Sequence, residues 1–490
     1  MKKLLIILFF LLVCLAPNQA QQKYWIYLKD KIDDPSCQKN YISGKISALI
    51  IDSLECYGVS PIVKSNWLNA ISSQLNEKQI SEIHELGFVS RIQKLNQNLR
   101  VTSTNLSNEN LSKALGQIKA DTLIMLGLTG KDVKIGIIDA GFLRADSDSY
   151  LKEIIENGQI KGYRNYIEPD ITDPYGGNNS INDHHGTSVF RAIAGTMNNN
   201  YIGLANGAQY YLARTDQSDK EYRGEEDYWV AALEWMYDQG VRLINSSLGY
   251  SDGFDNPKEN YEPHDIDGNS SAITKAVNIA VKEKGMTIVL SAGNDGNNKF
   301  EVISIPADAE DAITVGATGI NHWGKQGYSS IGPEPLASIK PEVACYATDG
   351  TSFSAPIITG LIACMMEYNP SLTNDQIKEL LNKSSHLYPF SNNYLGFGVP
   401  NAEKIMALMK DPSLHFGNSK EVEVHSKNSY IITLPKNDNI MAFHKKNKTI
   451  VLEQEKLKWK DNAVTVNRIL NAAYTTVATE DHVWEIHWVD

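Results

Sequence analysis

The stretch "VKIGIIDAG", residues 133–141, is an almost unbroken apolar run ending in an aspartate and two small residues. A strand with no polar alternation is buried on both faces, which is the condition of a central strand in a parallel sheet. Four further runs have the same texture: "YYLART" (210–215), "VRLINSSLG" (241–249), "MTIVLSAGN" (286–294) and "AITVGAT" (312–318). Between them lie segments of helical spacing, "EEDYWVAALEWMYDQG" (225–240) and "SAITKAVNIAVKEKG" (271–285). Gly240 and Gly285 close these helices, as a left-handed cap requires. Strands alternating with helices predict an α/β fold with helices on both faces of the sheet. Ligands of such sheets gather at the carboxyl ends of the strands. Asp139, Ser247, Leu248, Gly249 and Asn294 all lie at such ends.

The flanks differ. Residues 21–105 predict a small α+β unit with strands in "KYWIYLKD", "NWLNAISSQL" and "FVSRIQKL". Its helices are "SGKISALIIDSLECYG", stopped by Gly58, and "NEKQISEIHEL", capped by Asn76 and stopped by Gly87. The polar stretch "NQNLRVTSTNLSNENLS" reads as an exposed linker running to residue 112. After residue 410, "EVEVHSKNSYIITLP", "TIVLEQ", "AVTVNRIL" and "DHVWEIHWVD" predict a small β-rich unit over 411–490. The α/β unit is then 106–410.

The chain has 490 residues, 42% of them hydrophobic, and a net charge of −12 without a basic cluster. That charge argues against a nucleic-acid surface. The first 20 residues, "MKKLLIILFFLLVCLAPNQA", carry two lysines and then an apolar run too short to span a bilayer, the pattern of a cleaved export signal. Val13 before Cys14 argues against lipidation. No later segment reads as a membrane anchor. Cys37, Cys56, Cys345 and Cys364 make no disulfide scaffold in so long a chain.

Four short motifs carry chemistry: Asp139 in "IGIIDAGF", His185 in "DHHGTSVF", Asn294 in "LSAGNDG" and Ser352 in "DGTSFSAP". Singly, the aspartate, asparagine and serine have ordinary structural readings, a strand-end turn, a turn residue and a helix cap, while the histidine is more specific, because Gly186 lets a ligand approach the ring. Together they supply what amide hydrolysis by serine needs, a base, a carboxylate to orient it and a donor for the oxyanion. Asp, His, Ser is also the chain order of one of the convergent serine triads.

Over residues 113–405 the chain resembles the subtilisin-like serine peptidases. "KALGQIKADTLIMLGLTGKDVKIGIIDAGF", "INSSLGY", "ISIPADAEDAITVGAT", "YSSIGPEP", "IKPEV" and "GFGVPNA" are similar to successive blocks of that family, and the N-terminal unit resembles its inhibitory propeptide. The resemblance implies a secreted bacterial serine endopeptidase, made as a self-processing zymogen and acting on peptide or protein substrates. It implies Ser352 as nucleophile, His185 as base, Asp139 as its orienting carboxylate and Asn294 as oxyanion donor. Ser247, Leu248 and Gly249 would pair with the substrate backbone. His184 is a surface or supporting residue, and Ser354 a small packing position. A silent fold used for binding and a serine esterase are the competing readings.

The segment before Gly350 is shorter than in many relatives, which predicts a trimmed loop or an altered approach to Ser352. A disulfide between Cys345 and Cys364 is conceivable here, but the sequence does not determine it. Calcium as a structural ion is a family habit, with "ADSDSY" (145–150) and "GGNNSINDH" (176–184) the acidic loops that would hold it. No cofactor or catalytic metal is expected.

Overall fold

A computed structural model of the chain describes residues 22–29, 45–95, 107–176, 182–216, 225–252, 260–416, 419–425 and 427–489. Residues 1–20, read from the sequence as an export signal, and Cys37 lie outside the described residues. The chain divides into two compact units, Met1–Asn96 and Gln97–Asp490.

The first unit is an antiparallel sheet of β1 (Gln22–Leu28), β2 (Val63–Ser65), β3 (Ala70–Leu75) and β4 (Val89–Lys94), in the order β2-β3-β1-β4. Alternation along β1 sends Ile26 and Leu28 to the face covered by helices Ala48–Glu55 and Glu77–His84, where they meet Ile50, Leu54 and Ile83. Asn76 and Gln79 form a reciprocal capping box on the second helix. That helix ends at His84 and not at Gly87, which does not adopt a left-handed conformation. The linker is also shorter than expected. Ser107 caps a helix Asn108–Gln117, its hydroxyl accepting from Asn110 N–H at 3.1 Å.

The second unit holds the seven-stranded sheet: β5 (Lys134–Asp139), β6 (Ile160–Asn165), β9 (Gln209–Arg214), β10 (Leu243–Ser246), β11 (Thr287–Ser291), β12 (Ile313–Thr318) and β13 (Val343–Tyr346). A two-residue hairpin, β7 (Thr196–Met197) with β8 (Asn200–Tyr201), stands outside it. The order is β13-β12-β11-β10-β5-β9-β6, and every pairing is parallel. The chain leaves β5 for β6, beyond β9 on one side, and leaves β5's other neighbour, β10, for β11 on the opposite side, so the connections diverge between β5 and β10. That is where an open α/β sheet forms its crevice. Gly240 and Gly285 have φ of +80° and +64°, the left-handed caps expected of them.

Helix Ala355–Tyr368 is buried along eleven consecutive residues from Ala355 to Met365. Each of its large apolar side chains contributes about 1.5–3 kcal/mol by leaving water. Gly360 lets it approach the helix His185–Ala194 closely. A Cβ there would stand 3.1 Å from Ile193 O.

The C-terminal strands are β14 (Ser419–His425), β15 (Ser429–Thr433), β16 (Ile440–Lys445), β17 (Val451–Leu457), β18 (Ala463–Asn467), β19 (Tyr474–Ala478) and β20 (Val483–Val489). A five-stranded sheet, β14-β20-β19-β16-β17, and the pair β15-β18 enclose a core of Ile432, Val464, Val466, Trp484 and Ile486. The other face of the larger sheet packs on the α/β layer, with Met441, Phe443 and Val451 against Ala344, Leu387 and Leu395.

Candidate active site

β5 delivers Asp139 to the carboxyl edge of the sheet, fully buried. Its Oδ1 accepts from its neighbour's amide, Ala140 N–H, at 2.8 Å and from His185 Nδ1–H at 2.7 Å. The contact depends on the glycine after the histidine. A Cβ on Gly186 would stand 2.4 Å from Gly141 O and 3.0 Å from Asp139 Cβ. Gly186 therefore seats the helix start on the turn after β5; it does not open space for a ligand beside the ring, as the sequence suggested.

Donation from Nδ1 to the carboxylate makes Nε2 of His185 the basic nitrogen. Nε2 is buried and has no hydrogen-bond partner among the described residues. Burial disfavours the imidazolium, but the charge and hydrogen bond of Asp139, with the charge of Asp216, outweigh it and raise the His185 pKa. His184 precedes the same helix without a side-chain capping bond and is half-buried.

Arg214 stands opposite Asp139 in the β5–β9 register. Its Nε donates to Ala140 O at 2.9 Å, while Nη2 and Nη1 pair with Asp183 (3.0 Å) and Glu168 (2.9 Å). It thus braces the turns on either side of the Asp139–His185 pair. Two residues on, Asp216 is buried among the same charges, with Oδ2 unpartnered among the described residues. Burial and the neighbouring charge of Asp139 push its carboxyl well above the usual range, against His185 and Arg214. Neither residue was singled out from the sequence. Their signal was present: "YYLARTD" ends an apolar strand in an aspartate just as "KIGIID" does.

Ser352 lies in the helical turn Thr351–Phe353 that leads into helix Ala355–Tyr368. Its Oγ is 3.3 Å from Ser247 O, and Ser247 Oγ donates to Ser352 O at 3.0 Å. Ser247 is held in turn by Asn245 Nδ2 (3.2 Å), whose Oδ1 accepts from Thr359 on the long helix (2.8 Å). The Phe353 ring lies 5.9 Å from the His185 ring. No hydrogen bond joins Ser352 to His185; such contacts are often long without substrate and tighten when it binds. Ser354 is buried, its Oγ donating to Thr351 O at 3.0 Å.

Asn294 follows Gly293, whose φ of +106° only glycine adopts readily. Asn294 Oδ1 accepts from Thr351 N–H at 2.8 Å, next to Ser352. That contact distinguishes the two ends of the amide and turns the Nδ2 donors away from Thr351. Leu248 is buried, and among the described residues the peptide groups of Leu248 and Gly249 carry no backbone hydrogen bond. Pairing resumes at Tyr250, which exchanges bonds with Ile305. An open stretch of this kind can accept an added strand.

The short segment before Gly350 contains β13, which pairs with β12 and is joined by residues 347–350 to the turn Thr351–Phe353. Cys345 and Cys364 are separate free thiols, not a disulfide. Cys345 Sγ donates to Ser354 O at 3.4 Å and Cys364 Sγ to Leu128 O at 3.7 Å. In the acidic loop 145–150, Asp148 is engaged by Tyr150 N–H (2.8 Å) and Arg191 (3.4 Å). Part of the other loop, 177–181, lies outside the described residues. Among the described residues no group of three or more His, Cys, Asp or Glu side chains is arranged to hold a metal ion.

Fold and site together define a serine peptidase of the parallel-sheet α/β type. The profile of the subtilase family, peptidase S8, matches residues 130–398, and the chain belongs to that family. A peptidase S8 propeptide domain of Bacteroidota matches residues 45–111. The chain is 26% identical over 379 residues to Subtilisin NAT of Bacillus subtilis subsp. natto, covering 74% of this chain and 88% of that protein. It is 28% identical over 301 residues to Subtilisin BL of Lederbergia lenta, covering 59% and 96%. Among solved structures it resembles the epidermin leader peptide processing serine protease EpiP of Staphylococcus aureus, with a TM-score of 0.56 and 15% identity over 80% of this chain and 99% of that one. At that identity the last likeness speaks to the fold alone. The protein is a serine endopeptidase with an N-terminal propeptide domain.

Proposed function

We propose that this endopeptidase cleaves peptide bonds through Ser352, His185 and Asp139, is exported, and is made as a zymogen that processes itself. An extended peptide would add as a strand to residues 247–249. Ser352 Oγ attacks the scissile carbonyl while His185 Nε2 takes its proton. Asp139 holds the ring in the required tautomer and stabilises the imidazolium. Asn294 Nδ2 and the backbone amide at Ser352 would donate to the oxyanion. Collapse of the tetrahedral intermediate passes the proton to the leaving amine, and water then releases the acyl group by the same steps in reverse.

The observation that carries this reading is the 2.7 Å bond between buried Asp139 and His185 Nδ1, which leaves the unpartnered Nε2 as the basic nitrogen. The leader in residues 1–20 supports export, and the propeptide domain supports inhibition of the nascent enzyme by its own N-terminal unit. Processing would fall in the linker between Leu95 and the helix capped by Ser107. The test is to follow intact mass and peptide hydrolysis of purified full-length protein beside Ser352→Ala. The wild type is expected to convert to a shorter active form while the variant stays whole and inert. A variant that is processed when purified alone contradicts self-processing, and one that still hydrolyses peptides contradicts Ser352 as the nucleophile.

A further inference from the structure

Segment 325–332 runs directly beside Asn294 and is bonded to the residues around it. Ser330 N–H donates to Gly293 O (3.1 Å), and Ser330 Oγ accepts from Asp295 N–H (2.9 Å). Gly296 N–H donates to Tyr328 O (2.8 Å). Asn294 is thus held from two sides, by Thr351 at its own Oδ1 (2.8 Å) and by this segment through Gly293, Asp295 and Gly296.

The C-terminal sheet grips both ends of the segment. At the first end, Gln454 of β17 makes a reciprocal pair with the backbone of Lys325. Lys325 N–H donates to Gln454 Oε1 and Gln454 Nε2 to Lys325 O, each at 2.9 Å. The Lys325 ammonium then ties the turn together, donating to the carbonyls of Gln326, Gly327 and Ser329 at 3.1, 3.1 and 3.0 Å. At the other end Asn393 exchanges bonds with Gly332, N–H to Asn393 O at 2.9 Å and Nδ2 to Gly332 O at 3.0 Å. Asn393 is itself docked on the sheet, its Oδ1 accepting from Val451 N–H and its N–H donating to Thr449 O, both at 2.9 Å. The fit at the first end is close. A Cβ on Gly324 would stand 2.7 Å from Met441 Cε of β16.

We infer that the C-terminal sheet is a positioning element of the peptidase site: through Gln454 and Asn393 it fixes segment 325–332, and through that segment it sets the placement of Asn294. An oxyanion donor is effective only within hydrogen-bond reach of the developing charge, and small displacements are costly in rate. The inference rests on the reading of Asn294 as oxyanion donor.

The test uses the full chain and measures kcat and KM for a peptide substrate, with amide hydrogen exchange over residues 293–296. Gln454→Ala, Asn294→Ala and the double variant are compared with Lys446→Ala, which removes an exposed ion pair to Glu334 across the same boundary. Gln454→Ala is expected to lower kcat about fivefold, within the 10²–10³ a donor supplies, with KM nearly unchanged and faster exchange at Asp295 and Gly296. It adds no further loss in the Asn294→Ala background, because residues acting through one group are not additive. Lys446→Ala leaves both readouts unchanged. An equal loss in both backgrounds, or unaltered exchange at 293–296 in Gln454→Ala, overturns the inference. An intact kcat in Asn294→Ala overturns the donor reading and this inference with it, and the exchange result distinguishes that case from a clamp that never held.

Discussion

Asp139 Oδ1 and His185 Nδ1 lie 2.7 Å apart with both side chains out of contact with water. The pair is assembled by a strand end, a helix start and the absence of a side chain at Gly186. Replacing the carboxylate by an amide keeps the shape but offers the ring either of two partners, so the tautomer is no longer fixed. Asp139→Asn is expected to lower kcat by about 10⁴ while the melting temperature changes little, as steady-state kinetics and calorimetry would show.

Gly186→Ala tests how the pair is assembled. The new methyl meets the Gly141 carbonyl, and neither backbone can yield without moving the other. A loss of about 1–3 kcal/mol of stability is expected, together with slower hydrolysis because His185 is pushed from Asp139. Denaturant unfolding and kcat/KM measure the two effects separately.

The acid limb of kcat/KM reports His185, which must be neutral to accept the serine proton. Its pKa is raised, so activity is lost as pH falls through a value above the ordinary 6.5 or so. Asp216 contributes to that rise by favouring the imidazolium. Its own carboxyl is pushed up to about 7, so it is partly charged over that range; Asp216→Asn removes that charge, lowers the His185 pKa and moves the acid limb modestly to lower pH. A limb that stays in place or moves up contradicts the assignment.

Stability has its own buried charge. Lys340 is fully buried, its Nζ 2.7 Å from Glu342 and 2.9 Å from Ala312 O. Glu342 also accepts from Thr314 N–H at 2.8 Å and lies 3.3 Å from Lys378. Lys340→Met leaves the glutamate with only the more exposed lysine, and should cost about 3 kcal/mol, the low end because Lys378 remains. Chemical denaturation is the readout.

The parallel sheet was legible because β5, β9, β10, β11 and β12 each carry a short apolar run with polar residues mainly at its ends, and a short run without polar alternation suits a strand covered on both faces. β13 was hidden because "VACY" is four residues long and sits where a loop was expected. β16 and β19 were missed because "IMAFHK" and "YTTVA" carry polar residues whose burial depends on distant partners, such as Lys445 with Glu485 at 2.7 Å. The motif residues were legible through their order and small neighbours. Arg214 and Asp216 were marked only by the end of the apolar run "YYLARTD", and Lys325 and Gln454 by nothing local. Their roles come from contacts across strands and, for Gln454, with a residue 129 positions away.

The central claim is that Ser352 is a nucleophile activated by His185. The most direct test is to treat the processed protein with a fluorophosphonate and map the adduct by mass spectrometry, beside Ser352→Ala and His185→Ala. The account predicts one adduct, on Ser352, absent from the first variant and strongly slowed in the second. An adduct on another serine, or none on a protein freed of its N-terminal unit, would contradict it.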